Sequence, residues 1–307
     1  MPGRPPGHSP CSGCGAGPAV LADRPDGAVV RHGNAVAKAH APDAEPAALA
    51  VRVAVAAHHA LAGILLPPLA CPTPGGSRPV TAWPYGTPVD PAAPDAAPWE
   101  EAAVLLARLH TVAPGALPGP LPPMRGPAKA ARALARMRAA LPAPNTAEPV
   151  LAAWRNLPGW ARDESPVPLS RSGRLCHGDL HLGQLVRHPA PDGPWLLIDI
   201  DDLGVGDPAW DLARPAAWYA AGLLSPDVWT RFLAAYRGAG GPAVRPTGDP
   251  WPELDVPARA LTVQTAALAL AKSAAADRPL DDAEQIMLDS CSRIAALPAE
   301  LACEPSS

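Results

Sequence analysis

Aromatic residues are scarce in this chain. Its 307 residues include nine tryptophans, three tyrosines and one phenylalanine, 4% in all. Rings can therefore serve only as occasional anchors. The core must come mainly from alanine, valine and leucine, within a hydrophobic share of 48%. Charge is sparse as well, at 18% of residues with a net charge of −4. No basic run exceeds two residues, which argues against nucleic acid as the partner. No apolar run reaches the ~18 residues of a membrane span. Residues 47–70 come nearest, but Arg52, His58 and His59 interrupt them and Pro67-Pro68 ends them. The first twenty residues lack the apolar segment of a secretion signal. A cytoplasmic setting with the six cysteines as free thiols is expected. Cys11 and Cys14 form a C-x-x-C with no second pair at zinc spacing.

Proline (44) and glycine (26) are abundant, yet below the share that marks an unfolded low-complexity chain. Residues 1–18 read as a flexible tail. Residues 19–41 contain three β-rich runs separated by Pro25-Asp26-Gly27 and His32-Gly33-Asn34, which predicts a three-stranded antiparallel meander. A helix is expected from Glu45, with Pro46 suited to its first position. Residues 63–70 and 77–86 read as further strands. The Pro-rich stretch 86–98 marks a domain boundary. Helices are then expected over 99–112, 128–141, 147–156, 209–222, 226–237, 256–276 and 281–297. A hairpin is expected around Pro191-Asp192-Gly193.

The chemistry concentrates in residues 174–188, RLCHGDLHLGQLVRH. Three readings compete. His177, Asp179 and His181 could be ligands of a metal-dependent phosphoester hydrolase, but the further ligand clusters such enzymes need are missing from the sequence. The same residues could be core histidines beside a turn-capping aspartate. Or the loop serves phosphoryl transfer, where a base aspartate is followed five positions later by a metal-holding amide. Gln184 stands at that offset from Asp179, and Asp199 follows on the far strand of the hairpin. Phosphoryl transfer needs one carboxylate beside the attacking hydroxyl. It also needs a second carboxylate and an amide oxygen to hold Mg²⁺ against the β- and γ-phosphates.

CHGDLHLGQ followed by IDIDDLGVGDPAWDLA resembles the aminoglycoside phosphotransferase and choline kinase-like family. The two blocks cover residues 176–213 in the family's order and spacing. Weaker likeness extends over the meander ending in AVAKAHA, the hinge-like TAWPYG and LLARLH. The resemblance implies an α+β, bilobal protein kinase-like fold. Residues 19–86 would be a small antiparallel-sheet N-lobe, and residues 87–307 a mostly helical C-lobe, with MgATP held between them.

It also implies roles. Asp179 would be the catalytic base, and Asp199 the principal Mg²⁺ ligand. Gln184 would be the second ligand, where the family has asparagine. His177 and Asp211 would support the catalytic loop. Lys38, on the third strand, would hold the nucleotide phosphates, with Glu45 as its helix partner. The backbone of residues 81–86 would meet the adenine edge, with Trp83 and Tyr85 serving either the nucleotide or the packing of the hinge. Arg24 to Gly27 would be the phosphate-covering loop. Asp201 and Asp202 are additional acids that could approach a metal ion but read first as solvated charges at the hairpin end. Asp281, Asp282, Glu284 and Asp289 could welcome a cationic acceptor or form a solvated helix face.

The expected activity is transfer of the γ-phosphoryl group of ATP to a hydroxyl of a small molecule, an aminoglycoside-like, amino-alcohol or sugar acceptor. The alternatives are a pseudokinase-like binder without turnover and the metal-dependent hydrolase. No nucleic acid or membrane partner is expected.

Overall fold

The structure, a computed structural model, describes residues 17–24, 27–70, 78–141, 144–171 and 173–297. The expected C-x-x-C pair, most of the expected tail and the centre of the expected phosphate-covering loop lie outside these residues. In chain order the strands and helices are β1 (Ala19–Arg24), β2 (Gly27–His32), β3 (Ala35–Ala39), α1 (Pro46–Ala56), β4 (Val80–Pro84), β5 (Thr87–Pro88), α2 (Trp99–Thr111), α3 (Gly126–Ala140), α4 (Glu148–Arg155), β6 (Arg174–Cys176), β7 (Leu185–Arg187), β8 (Trp195–Leu197), β9 (Gly204–Gly206), α5 (Ala209–Ala221), α6 (Pro226–Gly238), α7 (Trp251–Ala276) and α8 (Asp282–Ala295).

The chain divides into two units. The first runs to Ala97 and takes in Leu117–Leu121 and Gly183–Asp201. The second comprises Pro98–Ala116, Pro122–Leu182 and the chain from Asp202 onward. The hairpin that carries Asp199 therefore groups with the first unit rather than with the helices.

In the first unit, β1, β2, β3 and β4 form an antiparallel sheet in that order. Valine-rich runs suit its half-buried pleat. Gly33 adopts φ +58° at the first of two turn residues between β2 and β3, a conformation that costs glycine little. The register of β3 on β4 sets Lys38 opposite Thr81 and Val36 opposite Trp83. A second small sheet has the order β5-β7-β8. The expected strand at 63–70 is instead two isolated bridges, Leu65 to Leu197 and Leu69 to Ala82. Pro67-Pro68 lies between them, has no amide protons to offer a ladder, and so breaks it. The segment still ties the meander to the hairpin: Leu66 N donates to Leu197 O and Leu197 N to Ile64 O, both at 2.9 Å. Leu61, Leu65, Leu197 and Ile200 are buried around this seam.

The second unit is helical. The long α7 packs against α3, α4, α5 and α8, while α2 packs on α6 and α4 on α8. Its start at Trp251, five residues earlier than expected, places Pro252 in the first turn, where a missing amide proton costs nothing. Alanines along α7 and α3 let the helices approach closely, which makes good the shortage of large side chains. One aromatic cluster forms here: Trp229 stacks on Tyr219 and Phe232, with Trp99 edge-on to Phe232. The short pair β6–β9 was not expected from the sequence. It lies across residues 122–124, where Met124 N donates to Val205 O (3.0 Å) and Val205 N to Pro122 O (2.9 Å). Among the described residues, no helix is long and apolar enough to cross a membrane.

This crossing demands glycine. A Cβ on Gly204 would fall onto the Pro122 carbonyl and the Met124 amide, both backbone groups that cannot yield. Gly204→Ala is expected to cost about 2 kcal/mol of stability. Gly238→Ala, where open space surrounds the last residue of α6, is expected to add roughly 0.5–1 kcal/mol. Urea unfolding of the two variants should move the midpoint in opposite directions; equal midpoints would contradict the packing described.

Candidate functional site

Site residues expected from the sequence fall into two sets, one in each unit. In the first unit, Lys38 projects from β3 and is largely buried. Its Nζ lies 2.6 Å from Asp199 Oδ1 and 3.0 Å from Asp201 Oδ2. Burial by itself would lower the ammonium's pKa, but the two carboxylates reverse that and raise it. Gln184 is buried at the end of a single 3₁₀ turn before β7, and its amide lies 3.5 Å from Asp199 Oδ2. Asp199 holds φ +65°, an unusual conformation for a residue with a Cβ, and accepts from Asp201 N at 3.2 Å. Lys38, Gln184 and Asp199 are thus brought together.

Asp201 is not a solvated charge. Its Oδ1 accepts from His40 Nδ1 at 2.7 Å, and His40, 1% exposed, uses Nε2 on the Thr81 hydroxyl at 2.8 Å. Trp83 Nε1 donates to the same hydroxyl at 2.8 Å. An indole can only donate and a carboxylate can only accept, so the chain of bonds has one direction at each end. Burial would raise the Asp201 pKa, but the His40 hydrogen bond and the Lys38 charge hold it well below the usual carboxylate range.

Two nucleotide-contact expectations change. Glu45 does not meet Lys38. Its carboxylate accepts from Ala47 N (2.9 Å) and Ala48 N (2.6 Å) at the start of α1. The first amides of a helix have no partner within it and attract an anion, and this local capture prevails. Tyr85 N donates to Asn34 O at 2.7 Å, so that amide has no second proton for an adenine edge. The Tyr85 carbonyl accepts from His188 Nδ1 at 3.1 Å, and its ring lies 3.4 Å beneath the Arg31 guanidinium. Trp83 is buried, with its N–H already used.

In the second unit, the loop after β6 is fixed from below by Asp211, a wholly buried residue near the start of α5. Its two oxygens accept from His177 N at 2.6 Å and Gly178 N at 2.7 Å. His110 Nε2 adds a third bond at 2.9 Å, and His110 Nδ1 meets the Tyr236 hydroxyl at 2.8 Å. Burial would raise the Asp211 pKa, but these hydrogen bonds and nearby histidine charge hold it lowered. Cys176, His110 and Asp211 lie within 4.8 Å of one another, yet both His110 nitrogens and both Asp211 oxygens are already engaged, so the group is an internal polar network. Gly178, at φ +84°, lies against the Asp202 backbone where a Cβ would not fit.

The loop presents Asp179, whose carboxylate is held by two cations. Oδ2 lies 2.7 Å from Lys129 Nζ on α3, and Oδ1 accepts from Arg214 Nη2 on α5 at 2.9 Å. Arg214 Nε also donates to Leu180 O at 2.9 Å. Lys129 reaches Asp202 Oδ2 at 2.7 Å as well. Burial opposes ionisation of Asp179, but Lys129 and Arg214 hold its pKa far below the usual carboxylate range. His181 is pulled down to about 4, first by burial, with Arg214 adding to it. Lys129, Arg214, His40 and Thr81 were not singled out in the sequence. No local pattern marks them: α3 reads only as a basic helix, and its lysine lies fifty residues before Asp179.

Of the acids near 281–289, Asp281, Glu284 and Asp289 have local partners, Asp289 accepting from Gln285 Nε2 at 2.8 Å. Asp281 and Glu284 form a capping box at the start of α8, and Arg278 pairs with Glu284 at 2.7 Å.

The fold is of the protein kinase-like class. The sequence profile of the phosphotransferase enzyme family matches residues 19–284. The chain belongs to that family and is a small-molecule phosphotransferase by class. Among solved structures it is similar to a choline/ethanolamine kinase family protein from Mesorhizobium loti, at 18% identity and a TM-score of 0.55, covering 95% of this chain and 92% of that one. Choline kinase LicA from Streptococcus pneumoniae is similar at 15% identity and TM-score 0.57, covering 88% and 89%. So is a thermostable mutant of aminoglycoside phosphotransferase APH(4)-Ia in ternary complex with AMP-PNP and hygromycin B, at 15% identity and TM-score 0.58, covering 92% and 95%. No curated protein matches the sequence significantly.

Asp211→Asn removes one of two acceptor oxygens under the loop and should cost about 3 kcal/mol at neutral pH. Because the folded-state pKa of Asp211 is lowered, its contribution is present above the unfolded carboxylate value, ~3.9, and fades as pH falls below it. Urea unfolding should show a large wild-type advantage at pH 7 that narrows below about pH 4. A gap that stays constant or widens with acid would contradict this.

Proposed function

We propose that the chain transfers the γ-phosphoryl group of ATP to a hydroxyl of a small molecule. The observation that carries this reading is the cluster of Lys38, Asp199 and Gln184, an ammonium, a carboxylate and an amide at hydrogen-bond range. Such a set matches a triphosphate and its metal ion. Carboxylate and amide oxygens are the hard donors that Mg²⁺ prefers, and turning the Gln184 amide by half a turn would present its oxygen where its nitrogen now lies. Asp199 and Gln184 would hold the ion, with Gln184 presented from the end of the short turn at Leu182–Gln184. When bound, Mg²⁺ neutralises charge on the β- and γ-phosphates.

Lys38 would exchange a carboxylate for phosphate oxygens as the nucleotide enters. Asp179 would accept a hydrogen bond from the acceptor hydroxyl, align its oxygen and take its proton late. Two cations make Asp179 a weak base, which a loose, metaphosphate-like transition state tolerates because little proton transfer is needed before the phosphoryl group has moved. Rigidity of the loop, through Asp211, Arg214 and Lys129, supports the alignment. The APH(4)-Ia structure with AMP-PNP and hygromycin B supports both a nucleoside triphosphate and a polyhydroxylated acceptor as the ligand classes here. The hydrolase reading is disfavoured because Lys129 and Arg214 flank Asp179, and two fixed positive charges repel a metal ion there.

A panel of aminoglycosides, amino alcohols and sugars incubated with MgATP should yield at least one product heavier by one phosphate. Asp179→Asn should lower kcat by roughly 10²-fold or more while leaving fluorescent-nucleotide binding unchanged. Nucleotide binding without transfer to any acceptor would replace this reading by a non-catalytic nucleotide binder.

The pH profile follows from the Lys129 contact. Wild-type kcat/KM should show no acid limb from Asp179 above about pH 4, since its pKa lies far below the usual ~3.9. Lys129→Met removes one of the two cations, raises the Asp179 pKa, and should bring in a loss of activity on the acid side. Lys129→Arg should preserve the wild-type profile. Superimposable profiles for all three enzymes would contradict the clamp.

A further inference from the structure

In kinases of this fold class, the phosphate-binding lysine is set in place by a glutamate on the neighbouring helix. Helix α1 offers no such residue. Between Lys38 and Pro67 the only acids are Asp43 and Glu45, and α1 itself, PAALAVRVAVA, contains none. Glu45 is consumed as the cap of α1. A lysine whose only carboxylate partner was Asp199 would lose that partner whenever Asp199 turned to a metal ion.

We propose that Asp201, held by His40, is the standing positioning partner of Lys38 and takes the place of the missing helix glutamate. The proposal rests on the phosphotransferase reading given above. Asp201 meets the three requirements of such a partner. It is in contact with Lys38, at 3.0 Å from Nζ, through Oδ2. It has its own anchor, because Oδ1 is bound by the buried His40 at 2.7 Å. The anchor is rigid in turn: His40 is pinned by Thr81, opposite Lys38 in the sheet, and Thr81 by the indole of Trp83. Lys38, His40, Thr81 and Trp83 all lie on or beside the β3–β4 ladder. The partner is therefore fixed by the same strands that carry the lysine, and a helix movement would not withdraw it. The two aspartates would divide the labour: Asp199 would exchange its lysine contact for a metal ion, while Asp201, anchored by His40, would keep the ammonium in place beside the phosphates. Asp201 acts through Lys38 and is a positioning residue, not a group that touches the reacting atoms.

A double-mutant cycle tests this. Affinity for a fluorescent ATP analogue in the presence of Mg²⁺ is measured for wild type, Asp201→Asn, Lys38→Met and the double variant, together with the ATP KM and the half-saturating Mg²⁺ concentration. Asp201→Asn should weaken nucleotide binding and raise the ATP KM by about tenfold, with little change in Mg²⁺ dependence. In the Lys38→Met background the same substitution should have almost no effect. Asp201→Glu should restore much of the affinity. His40→Asn, which leaves both charged partners in place, should give a smaller loss that likewise disappears without Lys38, so the test does not hang on one variant folding.

A loss that persists in full in the Lys38→Met background, or that appears as a shift in Mg²⁺ dependence, would overturn the proposal and make Asp201 a metal ligand. No effect of Asp201→Asn in the wild-type background would overturn it too. Failure of the wild-type protein to bind the nucleotide at all would defeat the phosphotransferase reading itself, an outcome distinct from both.

Discussion

The candidate chemistry depends on carboxylates that are kept ionised by assigned partners. Asp211 is the clearest case. Buried without solvent, it is stabilised by two backbone amides and a histidine, and it fixes the loop from which Asp179 projects. Without that bond pattern the loop backbone would have two buried donors with no acceptor, which is among the most costly defects a fold can carry. Asp179 and Asp201 follow the same rule with lysine, arginine or histidine as the partner.

Such pairing has a kinetic meaning. An aspartate that is always ionised and locked by Lys129 and Arg214 does not search for a rotamer when an acceptor arrives. The cost of orientation is met in folding, and the reacting geometry then needs little further ordering. As the proposed base, Asp179 would be weak but well placed, which suits phosphoryl transfer, where alignment and electrostatics contribute more than proton abstraction. The same logic applies to Lys38, whose ammonium is presented by β3 and held by Asp199 and Asp201 from the segment after β8.

Much of the fold was legible because its signals are local. Valine-rich runs between glycine turns gave the meander, and the spacing of Asp179, Gln184, Asp199 and Asp211 gave the loop and hairpin. What could not be read was pairing over long separations. Lys38 and Asp201 are linked across 163 positions, and nothing near either residue announces the other. Asp201 and Asp202 therefore looked like solvated charges, although each is tied to a lysine. Glu45 failed in the opposite sense: it stands near Lys38 in sequence, but the free amides at the start of α1 are nearer still. Strands β6 and β9 escaped because three residues each, with glycine in β9, carry no alternation to detect.

The central claim, that Lys38, Asp199 and Gln184 form the seat of a magnesium-bound triphosphate, is open to one direct measurement. A crystal structure of the chain with Mg²⁺ and a non-hydrolysable ATP analogue should show Asp199 and Gln184 oxygens on the ion, and Lys38 Nζ moved from Asp199 onto phosphate oxygens. A nucleotide bound elsewhere, or bound with the Lys38–Asp199 contact still closed, would contradict the account.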